Sequence, residues 1–269
     1  MRHGHGPEAL ERAIVLTFDN LGEASSLQRG TWNPRTPLGE DPSVTRALPR
    51  LLDALEHSGL TATFFVEAVN CELNPEALAQ IAERGHEMGA HGWQHEQWGE
   101  LDTGEEREVL ARTARAFAAA GLGVHGFRPP GGELTPRTPG LLREHGFAWC
   151  SPAGDQAPSV RDGLALVPFD WEQVDAYHLL ERFGDLRVRR GAPAQPRDAA
   201  DTGARLARAL RDGGGGGGVQ TLVMHPFLML DPAWWEQTQG LLALVAELAR
   251  SGQAWVVPGG RLAESLGRE

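Results

Sequence analysis

Short apolar runs rich in β-branched and aromatic residues alternate along this chain with segments of helical period, and this restricts its fold more than any other feature. The run Ala13–Phe18 reads as a strand. Ser43 to His57 then carries Leu48, Leu51, Leu52 and Leu55 on one helical face, stopped near Gly59. Thr61–Val66 is a second strand, and Asn74 offers an N-cap with Pro75 in the first helical position of a helix that reaches Gly85. Glu87–His91 is a third strand, followed by a helix that Thr103 caps and Gly121 ends. Further strands fall at Gly126–Arg128, Phe147–Cys150, Leu164–Phe169, Val219–Met224 and Ala254–Val257. Helical pattern lies near Pro139–His145, across Asp201–Arg211 and after the cap Asp231-Pro232. Seven or eight β/α units in 269 residues predict an α/β protein whose parallel sheet rolls into a barrel.

No composition shift or repeat divides the chain, so residues 1–269 read as a single domain with an N-terminal extension over 1–12. The glycine run Gly213–Gly218 reads as a flexible surface loop, because a strand follows it where a phosphate site needs a helix N-terminus. A net charge of -11 without a basic block excludes a nucleic-acid surface. The chain has no lysine, which removes Schiff-base and P-loop chemistry and leaves arginine as the only permanent cation. No apolar run is long enough to span a membrane, and the N-terminus lacks a signal-peptide core, so a cytoplasmic location is expected. Cys71 and Cys150 fit no metal spacing and read as ordinary buried thiols.

Reactive side chains in such barrels gather at the C-terminal ends of strands. Those ends read Thr17-Phe18-Asp19-Asn20, His91-Gly92-Trp93-Gln94-His95, Arg128-Pro129-Pro130-Gly131-Gly132, Phe169-Asp170-Trp171 and Met224-His225-Pro226. His91 and His95, four apart, would share one side of a helical turn and suit one divalent metal, or form a solvated pair. Asp19 either caps a loop or acts as a base beside a metal-bound water. His225 either donates a proton to a leaving group or is a structural histidine. Arg128 would orient a carboxylate, with Asp170 and Asp175 as candidate partners. Trp93 and Trp171 could stack on a sugar ring or cover the barrel mouth, and Trp98 reads as packing.

The ordered set TFDN, HGWQH, RPPGG, a DW segment and LVMH, from Thr17 to His225, resembles the polysaccharide deacetylases of the NodB-homology type, carbohydrate esterase family 4. The resemblance implies a distorted (β/α)7, TIM-like barrel that hydrolyses N-acetyl groups from sugars with one divalent ion, zinc by preference. It implies a metal-bound water as nucleophile, His91, His95 and position 20 as ligands, Asp19 as base and His225 as acid. Arg128 would orient the base, steadied by a carboxylate near Asp170, and Trp93, Pro130, Gly131 and Trp171 would contact substrate. Position 20 departs from the family pattern, since the second aspartate of TFDD is Asn20 here. An uncharged amide lowers metal affinity. Three alternatives follow: Glu23, the nearest carboxylate in sequence, compensates; Asp19 itself turns to the metal and leaves the base role to another group; or no metal is held.

The segments VPFDWEQVDAYH and VMHPFLM resemble the branch that holds peptidoglycan-deacetylase-like proteins, cyclic-imide hydrolases and a metal-independent allantoinase. The leading expectation is a metal-dependent hydrolase of non-peptide C–N bonds acting on a small molecule or oligosaccharide. The alternatives are a metal-independent hydrolase of cyclic imides or ureides and a degenerate glycan-binding barrel. No nucleic-acid or membrane partner is expected, and a homo-oligomer is left open.

Overall fold

The computed structural model describes residues 12–213 and 218–267. Its strands are β1 (Ala13–Asp19), β2 (Thr63–Val66), β3 (Glu87–Ala90), β4 (Gly126–Phe127), β5 (Trp149–Cys150), β6 (Ser159–Arg161), β7 (Leu164–Leu166), β8 (Val219–Met224) and β9 (Trp255–Val256). All seven residues of β1 are buried, as a strand covered on both faces requires. It pairs in parallel with β2 on one side and β8 on the other, and β9 joins its first two residues. The order β6-β7-β5-β4-β3-β2-β1-β8 makes one curled sheet, parallel throughout except for the β6–β7 hairpin.

The seven parallel strands from β7 round to β8 give the distorted barrel its form, but closure is looser than a continuous ladder. Irregular chain beyond β7 bridges to β8, through a parallel contact of Val174 with Val223 and a 2.8 Å hydrogen bond from the Thr221 hydroxyl to the Pro168 carbonyl. The edge therefore opens where the cavity lies.

Side-chain alternation sorts the core into two layers. Ile14, Leu16 and Phe18 pack outward against helices, among them Leu51, Leu52 and Leu55 from Leu48–Ser58 and Leu241, Leu242 and Val245 from Pro232–Arg250. Ala13 and Val15 turn inward to meet Phe65, Trp149, Ala165 and Val167, and Val257 and Leu262 pack with this group. Bare glycines make room for the large rings: a Cβ on Gly126 would lie 2.4 Å from Trp149, and one on Gly89 2.5 Å from Phe65.

Several local expectations change. Asp102, not Thr103, caps the helix Thr103–Ala119, because its carboxylate accepts both the Gly104 and Glu105 amides and Glu105 answers in a capping box. Asn74 stands at the N-cap position of Pro75–Glu83 without capping it, since its amide instead donates to Glu23 and Asn70. The helix expected from Ser43 opens as a π-type turn, Ser43–Ala47, before becoming α-helical. The β6–β7 hairpin turns on Asp162 and Gly163, both at positive φ, an Asp-Gly signal that the strand reading passed over.

Both cysteines are free, Cys150 buried and Cys71 half-buried. Gly213 ends the helix Ala199–Asp212 in a left-handed cap, while residues 214–217 of the glycine loop and 1–11 of the N-terminal extension lie outside the described residues. Among the described residues no helix is long and apolar enough to cross a membrane.

Candidate functional site

The alternation that packs Ala13 and Val15 into the barrel also carries Thr17 and Asp19 inward, two and four residues further along β1. The same rule applied to β2 turns Thr63, Phe65 and Glu67 inward, to β3 Gly89 and His91, and to β4 Gly126 and Arg128. At the strand ends these polar groups meet over the apolar layer. Three of them, Asp19, His91 and Arg128, line a cavity of about 190 Å³ whose walls also include Asn20, His95, Trp171 and His225.

Arg128 is the hub of one side. Its Nη1 donates to Asp19 Oδ1 at 2.7 Å and to the Thr17 hydroxyl at 2.8 Å, while Nη2 donates to the Ser151 hydroxyl at 2.8 Å. The guanidinium lies 4.1 Å from the Phe65 ring centroid and 4.9 Å from that of Phe169. Arg128 is 1% exposed and Asp19 5%, so neither charge is solvated and each depends on the other. The expectation that Asp170 or Asp175 partners Arg128 is corrected by this geometry. Asp170 pairs with Arg190 at 2.5 Å and caps the short turn Trp171–Gln173.

Asp175 serves His225 instead. Its Oδ1 lies 2.5 Å from His225 Nδ1, and its Oδ2 accepts the His225 backbone N–H at 2.9 Å. Asp175 is fully buried, so it fixes the ring orientation and leaves Nε2 as the nitrogen available to a bound molecule.

His91 and His95 come together with ring centroids 5.0 Å apart, edge to face. A helical turn is not what joins them. The chain loops between them with positive φ at Gly92 (76°) and His95 (71°), and the carboxylate of Glu96 accepts the Trp93 and Gln94 amides. His91 Nδ1 lies 2.8 Å from the Arg128 carbonyl and donates to it, which leaves Nε2 as a lone pair. Burial pushes the His91 imidazole down to about 3 and holds His95 well below its ordinary value, so both are neutral and able to ligate.

Glu67, absent from the motif reading, completes this cluster. Its carboxylate and the ring nitrogens of His91 and His95 offer ligand atoms that lie within 4.8 Å of one another. Oε2 accepts the Leu21 amide at 3.2 Å, while Oε1 is buried without a partner. Burial, together with the nearby Asp19 and Glu96, pushes this carboxyl up to about 8. Two neutral imidazoles and a buried carboxyl with one orphaned oxygen form a donor set of the kind that holds a divalent cation, whose binding would displace the carboxyl proton. The signal lay in the strand itself: in Thr63-Phe64-Phe65-Val66-Glu67 every second residue faces the barrel.

Glu23 does not compensate for Asn20. Its carboxylate is spent on the Gly39 amide at 2.5 Å and the Asn74 side chain at 3.2 Å. Asn20 lines the cavity at a left-handed φ of 63°, a conformation asparagine tolerates. Trp93 is not a platform in this cavity. It is 6% exposed, lies beneath Arg112 with 3.5 Å between guanidinium and ring, and borders a separate depression. Pro130 packs against Gly92 rather than lining the wall, which Pro129, Gly131 and Gly132 form instead. Trp171 does line it, edge-on to Phe169 and tilted against Phe183, and Trp98 is core, its indole N–H donating to the Thr138 hydroxyl. Arg29 and Arg182 complete the rim, and neither has a carboxylate partner within ion-pair distance among the described residues.

Residues 7–149, just over half of the chain, match the profile of a family described as polysaccharide deacetylase. A peptidoglycan deacetylase of Helicobacter pylori is 32% identical over 103 residues, which are 38% of this chain and 35% of that protein. The chain thus spans about a third of the length of that curated relative. A solved structure from Mycobacterium smegmatis, assigned as a polysaccharide deacetylase, superposes with a TM-score of 0.79 at 27% identity, covering 98% of this chain and 93% of its own. An allantoinase structure shares the fold at a TM-score of 0.72 and 16% identity, covering 97% of this chain and 91% of its own.

Proposed function

On the premise that this chain belongs to the polysaccharide deacetylase family, we propose that it is a metal-dependent hydrolase of non-peptide C–N bonds that removes N-acetyl groups from an amino sugar or oligosaccharide. The observation that carries this reading is convergence: the Asp19–Arg128 pair, the two neutral histidines and the Asp175–His225 pair all border one cavity.

His91 and His95 would hold the ion, zinc being the element that imidazole and carboxylate donors suit best. Bound there, a divalent ion supplies Lewis acidity toward an amide carbonyl and an attacking water. Asp19, oriented by Arg128, whose guanidinium the Thr17 hydroxyl helps to hold, takes the proton that the attacking water loses. His225, held through Nδ1 by Asp175, delivers a proton from Nε2 to the departing amine. The Trp171 and Phe183 rings offer an apolar face for a sugar, and Gly131 and Gly132 leave backbone within the cavity wall. Arg29 and Arg182, neither paired with a carboxylate among the described residues, favour a substrate that carries an anionic group near the scissile amide.

The test is turnover of N-acetylated amino-sugar oligomers before and after chelation, with small cyclic imides assayed in parallel. Acetate release that chelation abolishes and zinc restores is the expected result. Cyclic-imide turnover that survives chelation, with no acetate release, would replace this reading by the metal-independent one. Glycan binding without hydrolysis of either substrate would identify a binding barrel.

A further inference from the structure

We propose that Glu67 is the anionic ligand of the metal site, so that the negative charge of the donor set comes from the end of β2 and not from position 20. The inference rests on the metal-dependent reading above but concerns the origin of the charge.

Four observations converge on it. Glu67 is completely buried, a position carboxylates rarely occupy without a partner. One of its oxygens has no hydrogen-bond partner, although the neighbouring oxygen receives the Leu21 amide. A buried carboxyl oxygen without a partner is costly in a folded protein, and a bound cation would relieve that cost. The groups that it does face are the imidazoles of His91 and His95, all three offering atoms within 4.8 Å. His91 is already oriented for ligation by its bond to the Arg128 carbonyl.

Rigidity separates the two candidate positions. Glu67 follows directly on β2, and Asn70 clamps the segment by donating to both the Glu67 and Leu21 carbonyls at 3.0 Å. Asn20 sits one residue past β1 in a left-handed turn, and its amide is electrically neutral. With Glu67 the set becomes two imidazoles and one carboxylate, a composition that catalytic zinc sites use with a coordination position left free. Asp19 then stays with Arg128 and need not turn toward the ion, which keeps ligand and base on separate residues.

The decisive experiment measures metal binding, not turnover. Zinc affinity by competition with a chromophoric chelator, and the visible absorption of the cobalt(II) form, would be recorded for the wild type, Glu67→Gln, Asn20→Ala and Asn20→Asp/Glu67→Gln. Thermal unfolding of each metal-free protein controls for folding. Glu67→Gln is expected to weaken zinc binding by more than about 100-fold, beyond what loss of an outer hydrogen-bond partner costs, and to change the cobalt spectrum. Asn20→Ala should leave affinity within a few-fold. The double variant, which moves the carboxylate across the site, should recover part of the loss. Unchanged affinity and spectrum in Glu67→Gln, or a large loss confined to Asn20→Ala, would overturn the proposal, as would a wild type that binds no zinc or cobalt. Zinc binding that depends on Glu67 in a protein without amide hydrolysis would sink the proposed activity and leave the ligand assignment standing.

Discussion

The lower and upper halves of the barrel interior are built by the same strands, often only two residues apart, yet they do opposite things. Below, Val15, Phe65, Trp149, Ala165 and Val167 fill the space, with Gly89 and Gly126 reduced to hydrogen so that rings can lie against backbone. Above, Asp19, Glu67, His91, Arg128 and Ser151 replace them at the ends of β1 to β5, beside a cavity that Asp19, His91 and Arg128 line. One period-2 register therefore delivers packing to one end and chemistry to the other. The contrast also divides the energetics. The lower layer stabilises through contact area, whereas the upper layer contains buried charges such as Asp19 and Arg128 that are tolerated because they pair with one another.

The largest effect should come from the upper layer and fall on catalysis alone. His225→Ala is expected to reduce amide hydrolysis by about 10² to 10⁴-fold, because the proton donor is lost while Asp175 keeps its two backbone donors. Steady-state kinetics beside a thermal melt would check it, and a collapse of the melt would mean that the two layers are not separable in this way.

Asp19→Ala is expected to break the division deliberately. It removes the base and strands the Arg128 guanidinium in the interior, so stability should fall by about 3–5 kcal/mol together with activity. Denaturant unfolding measures this, and a stability loss under about 1 kcal/mol would show that water reaches Arg128.

A smaller effect is expected below. Gly126→Ala drives a methyl into the Trp149 indole and should cost about 1–3 kcal/mol in unfolding free energy, with turnover per folded molecule close to the wild-type value. Altered substrate affinity in this variant would show that the packed layer sets the position of Arg128.

The smallest effect belongs to the rim. Replacing Arg29 or Arg182 by Gln should weaken an anionic N-acetyl sugar by about 1 kcal/mol or less and leave its neutral counterpart unaffected, with melting temperature unchanged. Equal loss for both ligands would assign these arginines to shape rather than charge.

Much of this arrangement was legible beforehand, and the misses have physical causes. Strand ends at Asp19, His91, Arg128, Trp171 and His225 could be read because a β/α alternation fixes which end of each strand carries the loops. Asp170 and Asp175 were harder to tell apart. Both sit near one Trp-containing segment, and only the short turn Trp171–Gln173 decides that the first faces Arg190 and the second His225. Trp93 sits inside the histidine motif, but the Gly92 turn sends it into the core under Arg112. Glu67 escaped because it lies one residue beyond an apolar run that was read as ending at Val66. Continuing the alternation by a single step would have placed it inward.

The sequence by itself determined the parallel sheet, its strand ends and the chemical types gathered there, since apolar periodicity and strand alternation are local properties that survive without knowledge of the partner. The curl of the sheet decided the pairs. It brings Arg128 to Asp19 across 109 positions of sequence, Asp175 to His225 across 50, and Glu67 to the histidines beyond the neighbouring strand. Buried charges take whichever opposite group the closed interior places within hydrogen-bond reach, and that distance is set by how far the strands coil, which no local pattern records.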